Sequence, residues 1–244
     1  MYKIAGLNVE YTCRFDLLKK RSEKYLCNET EVQITLSLDE NYFSSRKEKF
    51  PTLSESEIEY IGMGAAFYKQ LLRFDGMMLH ASAVELDGEA YLFSAPSGTG
   101  KSTHTEGWLR VFDKAQIIND DKPAIRKVDG RYFAFGTPFS GKNDISRNEG
   151  YPIKGIGFLD RGENEIKKLT PGQAMAPLFN QTIRPDEESK MDLLCERAED
   201  LLSRVSFYAM FCDTSDEAVK MAYDMMICRS FYEKQKPTSG YDRC

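Results

Sequence analysis

The feature that most constrains this chain is a segment of eight mostly small residues, Ala95 to Ser102, which reads Ala-Pro-Ser-Gly-Thr-Gly-Lys-Ser. The apolar run YLFS precedes it and predicts a β-strand, whereas THTEGWLRVF follows it and predicts a helix. Small residues let the backbone curl so that successive N–H groups point at an anion, and a helix N-terminus adds its positive dipole end. The segment therefore predicts a phosphate-binding loop, with Ala95 where the stricter pattern has glycine.

The loop pattern also assigns individual contacts to a nucleotide. Lys101 is predicted to reach the outer phosphates, and the Ser102 hydroxyl is a ligand for Mg²⁺. ATP and Mg²⁺ are thus the expected cofactors. The predicted nucleotide-binding residues are Ala95, Pro96, Ser97, Gly98, Thr99, Gly100, Lys101, Ser102 and Thr103.

Two adjacent acids, Asp120 and Asp121, end the next apolar strand, AQIIN. A carboxylate at the end of a strand beside a phosphate loop is typical of a metal-holding acid. A second, neighbouring carboxylate can accept a proton from an attacking hydroxyl. The residues alone leave open which acid takes which role.

The order of predicted elements indicates an α/β fold. Asp87-Gly88 and Asp129-Gly130 each separate two apolar runs, which predicts β-hairpins, and a third hairpin is predicted between IKGIGFLD and EIKKL. Hairpins favour a mixed sheet over a purely parallel one, with the strand before the phosphate loop at its centre. Helices are predicted at 54–72, 101–112, 171–180, 186–204 and 215–228, and a strand at VSFYAMF.

The first 72 residues are predicted to form a smaller α+β portion that packs on the same core. Strands are expected at 2–10 and 31–38, with a short helix between Phe15 and Tyr25. Ser54 and Glu57 have the spacing of a capping box, and Ile58, Ile61, Ala65, Phe67 and Leu71 form an apolar stripe. The predicted organisation is an N-terminal portion 1–72, a catalytic domain 73–230 and a polar tail 231–244.

Composition excludes several classes of protein. The net charge of −5 and a pI near 5.3 argue against nucleic acid as the default partner. The six cysteines show no C-x-x-C spacing, which favours reduced thiols in the cytoplasm over disulfides or a zinc site. We find no secretory signal and no apolar run long enough to span a membrane.

HASAVELDGEAYLFSAPSGTGKST followed by INDD resembles the catalytic domain of the HPr kinase/phosphorylase family, which includes peptide-serine kinases and is distantly similar to phosphoenolpyruvate carboxykinase. The resemblance covers about residues 76–160. It implies that Asp120 is the base toward an acceptor hydroxyl, that Asp121 is a metal or phosphate-side acid, and that His80 lies beside them. It also implies a homo-oligomer.

The polar loop 137–150 offers two cations, Lys142 and Arg147, that can stabilise charge on a transferred phosphoryl group. Together with the resemblance, these residues predict an ATP-dependent phosphotransferase that acts on a hydroxyl, a serine of a peptide or protein. Two alternatives remain at this point: a kinase of a small molecule such as an amino acid, a sugar or a metabolite, and a nucleotide-binding regulatory protein without transfer activity.

Overall fold

A computed structural model of the chain describes residues 1–227, so the predicted tail and the end of the last helix at Cys228 lie outside the described residues. The strands are β1 (Tyr2–Ile4), β2 (Leu7–Glu10), β3 (Ile34–Thr35), β4 (Gly76–Met78), β5 (Ala81–Leu86), β6 (Glu89–Ser94), β7 (Gln116–Asn119), β8 (Ala124–Val128), β9 (Arg131–Phe135), β10 (Gly150–Arg161), β11 (Glu165–Leu169) and β12 (Phe207–Cys212). The helices are α1 (Asp16–Ser22), α2 (Glu40–Lys49), α3 (Glu55–Leu71), α4 (Lys101–Val111), α5 (Pro171–Asn180), α6 (Glu188–Arg204) and α7 (Asp216–Ile227).

Nine strands form one mixed sheet, which confirms the predicted α/β class. Seven of them follow the order β4-β8-β9-β10-β6-β5-β7, and β12 and β11 extend the sheet from β10. β10 pairs in parallel with β6 and β12, whereas the hairpins β5–β6 and β8–β9 are antiparallel. β6 therefore lies inside the sheet, between β10 and β5.

Both Asp-Gly hairpins are confirmed, and their turns show why this dipeptide was informative. Asp87 and Gly88 have φ angles of 52° and 80°, and Asp129 and Gly130 have 48° and 80°. Two consecutive residues in the left-handed region are the signature of the tight turn that matches strand twist.

The third predicted hairpin is wrong. β10 and β11 do not pair with each other, because β12 lies between them, parallel to β10 and antiparallel to β11. Short-range turn signals cannot reveal a strand that arrives later in the chain and inserts between two earlier ones.

Helices cover both faces of the sheet. Along β6, Ala90 and Leu92 pack toward α5 and α6, whereas Tyr91 and Phe93 pack toward α4 and α7. Alternate side chains of a strand point to opposite faces, so a strand with both sets buried must lie between two layers.

The N-terminal residues form a separate three-stranded sheet, β1-β2-β3. The predicted strand 2–10 is instead a hairpin, since Ala5 and Gly6 take φ angles of 53° and 76°, and the strand predicted at 31–38 is paired only at Ile34–Thr35. α3 begins with the predicted capping box of Ser54 and Glu57. This portion shares one buried apolar cluster with α3, with Met78 and with Phe139.

Two sequence expectations for the helices needed revision. Ile61, assigned to the buried stripe of α3, is 51% exposed, and Met63 is buried in its place. α2 was not predicted, because its sequence ENYFSSRKEK is almost wholly polar and buries only Phe43.

In the described residues no helix is long and apolar enough to cross a membrane, and Cys13, Cys27, Cys195 and Cys212 are free thiols.

α4 is fixed to the sheet by aromatic packing around Trp108, which is fully buried. Trp108 Nε1 donates to His104 Nε2 at 3.2 Å, and the His104 ring lies 4.5 Å from the ring of Phe93. Accepting this bond requires a neutral imidazole, and burial lowers the pKa of His104 to about 4.

We expect this histidine to make the protein acid-sensitive. In the unfolded chain His104 is protonated below about pH 6.5, whereas in the folded chain it stays neutral down to about pH 4. The free energy of unfolding should therefore fall as the pH is lowered from 6.5 to 4. The loss at pH 5 should be about 2 kcal/mol, measured by urea unfolding at pH 7.5 and pH 5. A His104→Gln variant should lose little between the two pH values, and an equal loss in both proteins would assign the titration to another group.

Candidate active site

The strand directions bring one edge of the sheet together as a site. β6, β7, β10 and β12 all run the same way, as their pairing with β5 and β10 requires, so their carboxyl ends meet at one edge. β5 runs the opposite way and brings His80, which precedes it, to that same edge. Crevices at the carboxyl ends of strands are the usual ligand sites of α/β sheets.

Residues 95–100 connect β6 to α4 and adopt a conformation that demands glycine at two positions. Gly98 and Gly100 have φ angles of 82° and 120°, and a Cβ at either would meet nothing within 4 Å. Backbone conformation and not lack of space therefore requires these glycines. Ala95 has no positive φ, so alanine is tolerated at the first position of the pattern.

Lys101 lies at the start of α4 and is only 8% exposed. Its Nζ donates to the carbonyl oxygen of Ala95 at 2.7 Å, which closes the loop on itself. Burial lowers the pKa of Lys101, although the nearby charges of Asp121 and Asp120 oppose that shift.

Asp120 follows β7 and points at the start of α4. Ser102 Oγ lies 3.3 Å from its Oδ1, Ser82 donates to the same oxygen at 2.9 Å, and Asn143 Nδ2 lies 3.4 Å from Oδ2. Asn119 fixes the turn, because its side-chain oxygen accepts from the backbone N–H of Asp121 at 3.0 Å. The turn thus sends the two neighbouring carboxylates to different partners.

Asp121 pairs with His80 and Lys122. His80 Nε2 lies 3.1 Å from Asp121 Oδ1, and Lys122 Nζ contacts Oδ2. Gln181 Oε1 lies 3.0 Å from His80 Nδ1 and orients the ring. Burial raises the pKa of Asp121, but the hydrogen bond from His80 and the charge of Lys122 outweigh it and lower the pKa to about 2. Asp121 is therefore ionised at neutral pH.

A cavity of about 700 Å³ joins these groups. Its wall contains His80, Lys101, Ser102, Asp120 and Asp121 together. Of the other predicted nucleotide-binding residues, the loop residues Ser97, Gly98 and Gly100 and the helical Thr103 also line it, whereas Ala95 and Pro96 do not.

The structure separates the two cations predicted in the loop after β9. Lys142 lines the cavity. Arg147 does not line it within residues 1–227; its Nη2 donates to Glu149 at 2.9 Å, and its backbone N–H bonds to Ile118. Of these two, only Lys142 stands where it can contact a ligand of the cavity.

A second cavity of about 550 Å³ adjoins the first and shares Gly100, Thr103 and Arg161 with it. Thr99 of the predicted set lines this second cavity, as do residues at the ends of β10 and β12. Arg161 bridges the two spaces, since its Nη2 donates to the carbonyl oxygen of Gly98 at 2.8 Å.

Several residues of the site were not predicted from the sequence, among them Ser82, Arg161, Arg21 and Tyr60, and also Lys122, Asn143 and Gln181. The sequence could have revealed Ser82, because it follows His80 by two residues and so lies on the same side of β5. Arg161 reaches the site only because β10 pairs in parallel with β6. Arg21 and Tyr60 reach it because α1 and α3 pack beside the sheet edge, far from the loop in sequence. No spacing in the sequence indicates such contacts.

Comparison with known proteins gives a family. The sequence matches the family model described as "ScmC: SynChlorMet cassette protein ScmC" over residues 51–233. The chain belongs to the ScmC family. The matched range includes the cavity residues from α3 onward, whereas α1 and Arg21 precede it.

The chain is also distantly similar to a solved structure. The HPr(Ser) kinase/phosphatase from Coxiella burnetii is a match at 11% identity, with 64% of this chain and 93% of that chain covered and a TM-score of 0.37. No curated protein matches the sequence.

Proposed function

We propose that the protein is a phosphotransferase that moves the γ-phosphoryl group of ATP to an acceptor hydroxyl. The observation that carries the proposal is the convergence of Lys101, Ser102, Asp120, Asp121 and His80 on one cavity. This set combines a cationic and a backbone phosphate site, a metal-side carboxylate and a second carboxylate with a positioning histidine.

The nucleotide phosphates are proposed to lie over residues 97–102. The N-terminus of α4 supplies backbone N–H donors and its positive dipole end, and Lys101 exchanges its bond to the Ala95 carbonyl for phosphate oxygens. The adjoining second cavity has room for the nucleoside.

The residues present fit Mg²⁺. Ser102 Oγ and the Asp120 carboxylate are oxygen donors 3.3 Å apart, and oxygen donors are what this ion prefers. Mg²⁺ commonly takes one or two protein ligands together with the phosphate oxygens of its substrate, so these two groups suffice. Bound there, Mg²⁺ would neutralise charge on the phosphates.

The geometry favours the reverse of the predicted roles for the two acids. Asp120 lies against Ser102 and is assigned to the metal side, whereas Asp121 is held by His80 and is assigned as the base. The acceptor oxygen bonds to the γ-phosphorus while the bond from that phosphorus to the β,γ-bridging oxygen breaks. The hydroxyl proton passes to Asp121, ADP leaves, and Lys142 stabilises the charge on the phosphoryl oxygens.

The acceptor that we propose is a serine of a peptide or protein. The test is incubation of the purified protein with γ-labelled ATP, Mg²⁺ and fractionated source-cell extract, beside a Lys101→Ala control. Label in a macromolecule, absent with the control, supports the proposal. Label only in a small solute would replace it with a metabolite kinase, and hydrolysis with no labelled acceptor would favour a nucleotide-binding regulator.

A further inference from the structure

Arg21 is a charged residue at the edge of the cavity that the proposed mechanism does not use. It lies near the end of α1, is 8% exposed, and lines the same cavity as the two acids. Burying a guanidinium is costly unless its donors are satisfied, so its partners decide whether it serves structure or ligand binding.

The partners of Arg21 are few and distant. Its guanidinium carbon lies 4.5 Å from the centre of the Tyr60 ring, its Nε lies 3.8 Å from Asp144 Oδ1, and its Nη2 lies 3.5 Å from the carbonyl oxygen of Lys142. Nη1 is buried and has no hydrogen-bond partner among residues 1–227. A guanidinium has five donors, and besides an interaction with the Tyr60 side chain the hydrogen bond to the Lys142 carbonyl oxygen is long.

The position of Arg21 places it on the acceptor side of the site. Its contacts are with Tyr60 and with the segment 142–144, and among residues 1–227 none is with the phosphate loop 95–102. The groups that face the guanidinium are the Tyr60 ring, the Asp144 carboxylate and the backbone carbonyl oxygen of Lys142, and Lys24 shares the same Asp144 oxygen at 3.9 Å.

We propose that Arg21 binds an anionic oxygen of the acceptor, so that the acceptor carries a carboxylate or phosphate group near its hydroxyl. That the oxyanion belongs to a phosphoryl acceptor rests on the proposed function, whereas the oxyanion site itself depends on Arg21 alone. A charge-assisted pair with a guanidinium is among the stronger hydrogen bonds and selects planar oxyanions. Because Arg21 lines the cavity, its guanidinium is the donor group that such an oxyanion would meet.

The test uses inorganic phosphate as the probe oxyanion, titrated by calorimetry into the full chain saturated with Mg·ADP. Arg21→Gln should weaken phosphate binding by about 10-fold or more, because a charge-assisted bond is lost. Arg21→Lys keeps the charge without the fork and should fall between wild type and Arg21→Gln. The matched control is Lys20→Gln, an exposed neighbour on α1, which should bind as wild type does.

The affinities for ADP and ATP show whether the oxyanion at Arg21 belongs to the acceptor or to the γ-phosphate of ATP. Both should stay unchanged in Arg21→Gln if Arg21 serves the acceptor, whereas selective loss of ATP affinity would place Arg21 on the γ-phosphate and overturn the proposal. Phosphate binding that is unchanged in Arg21→Gln, or absent in wild type at millimolar phosphate, would also overturn it.

Two further outcomes keep this test separate from that of the proposed function. If wild type binds no nucleotide, the proposed function fails, but phosphate titration without nucleotide still shows whether Arg21 holds an oxyanion. Circular dichroism melting curves reveal any variant that fails to fold, and the comparison of Arg21→Lys with wild type then carries the result.

Discussion

A Lys101→Ala variant is expected to bind ATP about 100-fold more weakly than wild type and to transfer no phosphate, because loss of a desolvated charge partner costs several kcal/mol. Lys101 is buried beside the loop, and its Nζ donates to the carbonyl oxygen of Ala95. Calorimetric titration with Mg·ATP measures the affinity directly.

The control for this change is Lys114→Ala. Lys114 is an exposed lysine just after α4 and lines neither cavity, so its removal takes away the same charge without touching the site. Wild-type affinity in Lys101→Ala would show that residues 95–102 do not hold the nucleotide phosphates.

The second large effect is expected for Asp121→Asn. Removing a general base lowers the rate of transfer by about 100- to 10,000-fold, whereas the affinity for Mg·ATP should change little. The carboxylate of Asp121 is bound to His80 and Lys122 and makes no contact with Ser102 in the structure, which is why nucleotide binding should survive its loss. Single-turnover transfer and ATP titration measure the two quantities separately.

Two companion variants sharpen that test. Asp120→Asn should instead raise the Mg²⁺ concentration needed for ATP binding, since its Oδ1 lies 3.3 Å from Ser102 Oγ. Asp129→Asn alters an exposed hairpin turn whose φ of 48° asparagine also adopts, and should leave both quantities unchanged. If Asp121→Asn transfers at the wild-type rate, the base assignment is wrong.

The parts of the fold that the sequence predicted well depend on local chemistry. The capping box at Ser54 and the Asp-Gly turns involve residues within four positions of one another, so their patterns are visible in the printed sequence. The third hairpin was wrong because β12, which follows two helices later, lies between β10 and β11. Pairing between distant segments depends on the packing of the whole sheet.

The candidate site divides in the same way. The loop residues and the two acids were found because each follows a strand, and strand ends can be read from apolar runs. The sequence could not predict that Lys142 lines the cavity and Arg147 does not, because both lie in one polar loop. Only the folded loop places Lys142 at the cavity and Arg147 against Glu149. Arg21 reaches the site through the packing of α1 against α3, which leaves no local pattern.

The most direct test of phosphoryl transfer compares two labels in parallel. The protein is incubated with the extract fraction that contains the acceptor and with either γ-labelled or α-labelled ATP, and the acceptor is then isolated. Our account predicts label in the acceptor from γ-labelled ATP alone, with ADP as the second product. Label from α-labelled ATP, or release of free phosphate with an unlabelled acceptor, would contradict it.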